Sequence, residues 1–284
     1  MSRIVYLNGD YMPDHEAKIS IFDRSVNFGD AVYDVAGVLE GKLIDFENHM
    51  QRYFNSLDKM GMESPLAKED ILRAFRRLVE LNSIEEGLVY MQVTRGVAER
   101  DFVWPQGLEP NVFMFTQETS QAESEHGILG VKLSSQDDIR WARRDIKSVN
   151  LLGQVLAKKA AYDAGAYEAL MVDPEGFVTE CGCTSFFMVR DREILTRALS
   201  NDILPGVTRR AIIALCDAKG YSLNETRFTL QEALDADEAF ITGAATYIMP
   251  VIQIDDREMS AGKPGPLTLE LREIYLEHVL ASLL

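Results

Sequence analysis

The stretch EALMVDPEGFVTE, Glu168–Glu180, reads as two short strand-like runs folded around a Pro-Glu-Gly turn. A hairpin of this kind commits its strands to antiparallel pairing. Immediately beyond it, SFFMVRDREILTR supplies a second hairpin. Near the start, RIVYLNGDYM places Asn-Gly between two strand-like runs, a strong hairpin signal. GLVYMQVTRG, NVFMFTQ and GVKLSS read as further strands. Helical patterns run from about Glu47 to Met60 and from Lys68 to Leu81. Others follow Lys147 and run through LPGVTRRAIIALCDAKG and LTLELREIYLEHVLASLL. Runs of strands with helices interspersed predict an α+β protein. The polar, aperiodic TSQAESEHG, from Thr119 to Gly127, reads as a junction. The expected division is an N-terminal α/β domain over residues 1–119, a linker over 120–127 and a C-terminal domain over 128–284.

Composition narrows the function. With 29 basic against 45 acidic side chains and a net charge of −16, nucleic acid and anionic membranes are excluded as general partners. A local basic pocket for a small anion remains open. No apolar run approaches the roughly 20 residues of a membrane span, and the start reads as a strand and turn rather than a signal peptide. The three cysteines, Cys181, Cys183 and Cys216, make an odd set without Cys-x-x-Cys spacing, which points to a reducing, cytoplasmic setting. The histidines are scattered at 15, 49, 126 and 278, so no metal site is expected.

Against that background, RRDIKSVNLLGQVLAKKA (Arg143–Ala160) raises a chemical question. Lys147 precedes a helix whose Val149, Leu151, Leu152, Val155 and Leu156 fall near helical spacing, which predicts a buried face. A lysine beside such a face either snorkels to water or is held there for its amine. Arg140, Arg143 and Arg144 lie close by in sequence; they either disfavour its ammonium form or form a solvated basic patch. Glu180 is either a solvated strand-end residue or a buried carboxylate in need of a cation. LPGVTRR offers main-chain amides and the Thr208 hydroxyl at a helix start, a common setting for phosphate. Arg52, in ENHMQRYF, could add charge, and Tyr33, in FGDAVYD, reads equally well as a core tyrosine.

Taken in order, FGDAVYD, QVTRG, DIRWARRDIKSVNLL, VTE and NDILPGVTR resemble the fold-type IV pyridoxal-phosphate aminotransferases, and most of all the D-amino-acid aminotransferases. The resemblance extends over nearly the whole chain, to EAFITGAATYIMPVIQID. It implies a two-domain α+β fold with pyridoxal 5′-phosphate between the domains, and a homodimer. It implies that Lys147 carries the cofactor as an internal aldimine and that Glu180 keeps the pyridine nitrogen protonated. Arg52, Thr208 and the main chain around Val207 and Ala244 match phosphate contacts, and Tyr33 and Arg100 match residues that receive the substrate carboxylate. The implied reaction is ping-pong transfer of an amino group from a D-amino acid to an α-keto acid. An (R)-selective amine aminotransferase, a branched-chain aminotransferase and an aminodeoxychorismate lyase-like enzyme share much of the pattern. Two departures stand out. Phe102 occupies the place of the histidine in the usual Arg-x-His, and Gly243–Ala245 replaces a hydroxyl-rich Ser-Thr-Thr.

Overall fold

A computed structural model describes residues 2–284, and the chain divides into two compact units. The first comprises Met1–Thr119, Ile146–Asn150 and Ser282–Leu284; the second comprises Ser120–Asp145 and Leu151–Ala281.

In chain order, the first unit holds β1 (Ile4–Leu7), β2 (Asp10–Pro13), α1 (Arg24–Phe28), β3 (Ala31–Leu39) and β4 (Lys42–Leu43). It continues with α2 (Phe46–Lys59), α3 (Lys68–Leu81), β5 (Glu86–Thr94) and β6 (Val112–Glu118). Among the described residues its strands form one sheet in the order β2-β1-β6-β5-β3-β4. The Asn-Gly hairpin forms as the sequence predicts, with Asn8 and Gly9 at φ values of 50° and 109°, which a tight two-residue turn demands. Met50, Tyr53 and Leu57 of α2 and Ile71, Phe75 and Leu78 of α3 recur at three- and four-residue spacing. They bury one stripe of each helix in the same core as Val89, Met91 and Val93 of β5. Each such buried side chain stabilises the unit by about 1.5–3 kcal/mol.

The second unit holds α4 (Glu125–Leu129), β7 (Val131–Asp137), α5 (Leu152–Asp163), β8 (Glu168–Val172), β9 (Val178–Cys181), β10 (Ser185–Arg190) and β11 (Glu193–Thr196). Then follow α6 (Val207–Lys219), β12 (Leu223–Glu225), α7 (Leu230–Leu234), β13 (Glu238–Gly243), β14 (Tyr247–Ile254), β15 (Arg257–Glu258) and α8 (Pro266–Ala281). Its strands run β12-β11-β10-β13-β14-β7-β8-β9, with β15 on β14. Both hairpins read from the sequence are present. The sheet is nonetheless mixed: β7 lies parallel to both β8 and β14. A parallel return needs a long crossover, and α5 is the helix carried between β7 and β8. The chain is α+β, as the strand and helix runs predict.

Three local expectations are revised. Residues 120–127, read as a linker, fall in the second unit. Ser124 caps α4, and the Arg272 guanidinium of α8 donates to the carbonyls of Gln121 (3.0 Å) and Ala122 (2.6 Å). The helix after Lys147 begins only at Leu152, and Ile146–Asn150 belongs to the first unit instead. The face expected to be buried is also reversed. Leu152, Val155 and Leu156 are 70%, 58% and 52% exposed, while Ala157 and Ala161 pack inward. Small residues let α5 sit close to its sheet, so the bulkier ones turn outward. Among the described residues no helix is long and apolar enough to cross a membrane.

Candidate active site

Lys147 sits on a strip of chain pinned at several points. Its carbonyl accepts from the Tyr33 amide (3.0 Å), and its own amide donates to Ser56 Oγ (3.2 Å). Ser148 bridges to Val32, and the Val149 amide donates to the Ala31 carbonyl (3.2 Å). The strip therefore runs antiparallel along the start of β3. This placement puts the Lys147 Nζ 4.1 Å from the centre of the Tyr33 ring, which itself stacks on Tyr90 at 5.3 Å. The first unit thus brings Lys147 and Tyr33 together. The amine therefore rests over a π face, on main chain that is hydrogen-bonded on both sides of it.

Arg52 lies elsewhere in the same unit and is committed to a buried partner. Its Nε and Nη2 donate to Asp34 at 2.8 and 2.7 Å. Asp34 Oδ1 also meets His49 Nδ1 at 2.8 Å, and an ionised carboxylate can only accept, so the imidazole carries that proton. Burial alone would raise the Asp34 carboxyl, but the Arg52 guanidinium and His49 overcome it and hold it well below the usual range. Burial lowers His49, against the pull of the Asp34 carboxylate. Asp34 and His49 were missed by sequence reasoning, although His49 and Arg52 share one face of α2 by their three-residue spacing.

Both groups titrate lower in the folded chain than in the unfolded one. Their stabilisation is therefore complete above the unfolded histidine value of about 6.5. It is lost as pH falls, first as the unfolded chain protonates at His49 and then, below about 4, at Asp34. The urea midpoint is expected to fall from pH 7 to 5 and more steeply below 4. His49→Gln is expected to flatten the upper part of that slope; an unchanged slope would show that the ring does not contribute.

In the second unit Glu180 is buried at the end of β9. Its carboxylate accepts from the Leu204 amide at 3.1 and 3.2 Å and from Arg140 Nη1. Arg140 is held in turn by Asp138, at 2.9 and 2.7 Å, and by the Thr179 hydroxyl. Burial pushes the Glu180 carboxyl up, against the pull of Arg140. The solvated strand-end alternative is therefore wrong, and the cation that a buried glutamate needs is supplied within the chain by Arg140. The three nearby arginines are not a free basic patch: Arg143 pairs with Asp145 and Arg144 with Asp138 and Asp202.

Thr208 and Val207 lie buried in the first turn of α6, whose N-cap, Gly206, provides no side-chain cap for the turn's amides. Ala244 lies in the β13–β14 turn. The Thr184 and Thr242 hydroxyls, flanking Gly243 in the same unit, are buried and have no hydrogen-bond partner among the described residues. Orphaned hydroxyls and an uncapped helix start fit a phosphate-bearing cofactor. The hydroxyls missing from Gly243–Ala245 thus have neighbours able to take their place. Arg100 is exposed, with its guanidinium over the rings of Phe28 and Phe102, and among the described residues it forms no ion pair. No cluster of potential metal ligands occurs among the described residues.

Comparison with known proteins gives a consistent result. Residues 31–254 match the family described as Amino-transferase class IV. The D-alanine aminotransferase of Staphylococcus aureus (strain MSSA476) is 35% identical over 278 residues, covering 97% of each chain. That of Listeria monocytogenes serotype 4b (strain F2365) is 36% identical over 281 residues, covering 98% of this chain and 96% of its own. Among solved structures, a branched-chain amino acid aminotransferase from T.th., with pyridoxamine 5′-phosphate, superposes with a TM-score of 0.91. It is 30% identical and covers 99% of this chain and 95% of its own.

Proposed function

We propose, from the premise that this chain belongs to the class IV aminotransferase family, that it transfers the amino group of a D-amino acid to an α-keto acid. It is a pyridoxal-phosphate enzyme, and the bound cofactor supplies an electron sink for the substrate α-carbon. The observation that carries the D-preference is similarity over nearly the full length to D-alanine aminotransferases, above the 30% identity to the branched-chain structure.

Each residue then has a task. Lys147, held over Tyr33, would hold the cofactor through its amine, and that amine would take the proton from the substrate α-carbon. Glu180, fixed by Arg140 and the Leu204 amide, keeps the proton on the ring nitrogen. Arg52, Thr208 and the main chain at Val207 and Ala244 hold the phosphate, aided by Thr184 and Thr242. Asp34 and His49 fix the Arg52 guanidinium. Arg100 and Tyr33 receive the substrate carboxylate. In domain terms, the second unit acts as the cofactor-binding domain. The working form is a cytoplasmic homodimer: the three cysteines are free thiols, and α5 exposes Leu152, Val155, Leu156 and Tyr162, an apolar face suited to a second copy.

The deciding experiment supplies D-alanine, L-alanine and L-leucine separately with 2-oxoglutarate and follows the keto product of each. Product from D-alanine alone is expected. Equal rates with both alanines, or product only from L-leucine, would overturn the proposal and favour a branched-chain enzyme.

A further inference from the structure

The Arg100 loop has no regular secondary structure, yet it is tied down by the short helix α1, the two residues before it and the Arg95–Asp30 pair. At one end Asp23 bridges to Val97, the Ala98 amide donates to the Phe22 carbonyl (3.2 Å), and the Arg24 amide donates to the Gly96 carbonyl (2.9 Å). Beyond Arg100 the Arg24 side chain takes over. Its Nη1 donates to the Asp101 carbonyl at 2.7 Å and its Nη2 to the Phe102 carbonyl at 3.4 Å, while Nε is fixed on Asp30 at 2.8 Å. Arg95 shares Asp30, at 2.8 and 2.9 Å, and stacks on Trp104 at 4.1 Å, which closes the far end. Asp30 is thus shared by two buried guanidiniums, which ties Arg24 and Arg95 to one point.

A second link runs through a ring. Phe28, four residues after Arg24 on the same helical turn, lies under the Arg24 guanidinium at 4.6 Å and under that of Arg100 at 5.3 Å. Phe102, in contact with Phe28 at 5.4 Å, lies 5.8 Å from the same Arg100 group. An exposed arginine ordinarily samples many rotamers and loses that freedom when it binds an anion. Held against two rings, Arg100 loses less.

We propose that α1 is the positioning element for Arg100: Arg24 sets the main chain of its loop, and Phe28 orients its guanidinium. The proposal rests on the reading of Arg100 as the receiver of the substrate carboxylate and adds what makes that receiver ready before substrate arrives. It also gives the Arg-x-Phe departure a meaning. A histidine at 102 would add a donor for the carboxylate, whereas Phe102 adds a second ring for Arg100 and an apolar wall that admits substrates without a carboxylate at a smaller desolvation cost.

The test uses the holoenzyme with Phe28→Leu, Arg24→Lys, Arg100→Ala and the Phe28→Leu/Arg100→Ala pair. A charge-assisted carboxylate contact is worth a factor of roughly 10–200, so Arg100→Ala lowers kcat/KM for D-alanine by that amount and spares (R)-1-phenylethylamine. Phe28→Leu raises KM for D-alanine about two- to fivefold with kcat and the amine unchanged, the worth of one exposed cation–π contact. In the Arg100→Ala background it has no further effect. Independently of activity, trypsin cuts after Arg100 faster in Phe28→Leu and Arg24→Lys than in wild type. Equal losses on both substrates, a full Phe28→Leu effect without Arg100, or unchanged cleavage overturns the proposal. Should Arg100→Ala leave D-alanine kinetics intact, the carboxylate reading fails by itself and the cleavage rates decide the positioning role. Arg24→Lys is checked by its thermal midpoint; if it unfolds, Phe28→Leu alone decides.

Discussion

Lys147→Ala is expected to lower turnover by about 10³- to 10⁴-fold, the loss of the group that moves the α-proton. The effect is expected to exceed that of any other single side chain because, in the proposed mechanism, one amine performs two tasks, holding the cofactor and transferring the proton. The geometry leaves no substitute among the lysines that follow. Lys158 Nζ is tied to Glu168 at 2.9 Å, and Lys159 is paired with Asp163. The wild-type protein is expected to be yellow, and borohydride is expected to couple the cofactor covalently to Lys147. A peptide map that finds it on Lys158 or Lys159, or nowhere, would remove Lys147 from the mechanism. Folding is expected to survive the alanine, since the main-chain hydrogen bonds that hold the strip are left in place.

Glu180→Gln is expected to reduce kcat by roughly 10²- to 10³-fold, the scale on which one preorganised electrostatic group acts. An amide oxygen still accepts from the Leu204 amide and Arg140, and Asp138 still neutralises Arg140 through two contacts. Cofactor binding and the thermal midpoint are therefore expected to change little. What is lost is the charge proposed to keep the ring nitrogen protonated, so removal of the α-proton is expected to slow and a deuterium at the α-carbon to slow the variant more than the wild type. Wild-type turnover in Glu180→Gln would mean that the carboxylate serves only to satisfy Arg140.

The sequence and the structure agree where local chemistry decides and part where distant residues do. The hairpin at Asn8–Gly9 was legible because its turn demands positive φ, which Asn and Gly adopt readily and the structure records at both. The helices α2 and α3 were legible from the spacing of their buried residues. The outward face of α5 was not, because apolar spacing marks a stripe without saying whether it packs against its own chain; Ala157 and Ala161 took that place. The parallel pairing of β7 with β14 joins segments more than a hundred residues apart, beyond the reach of any turn signal. At the site, Lys147 and Glu180 stood out through their motifs. Arg140 read as one of three basic neighbours, and only burial beside Asp138 and Glu180 distinguished it. Asp34 lay within FGDAVYD, but its partners come from α2, and the sequence does not reveal that pairing.

The first unit is not one continuous length of chain. Besides its opening 119 residues it needs Ile146–Asn150, which lines β3, and Ser282–Leu284, where Leu284 exchanges main-chain hydrogen bonds with Leu43 at 3.0 and 3.1 Å. On the ribosome, the opening residues emerge long before either of those pieces exists. All six strands of the sheet are then present, but the start of β3 lacks the lysine strip until Asn150 has been synthesised. The pairing at Leu43 comes later still, when translation reaches Leu284. A nascent chain halted at Thr119 therefore presents an open β3 margin, and the lysine-bearing unit is completed only once Leu284 has been made.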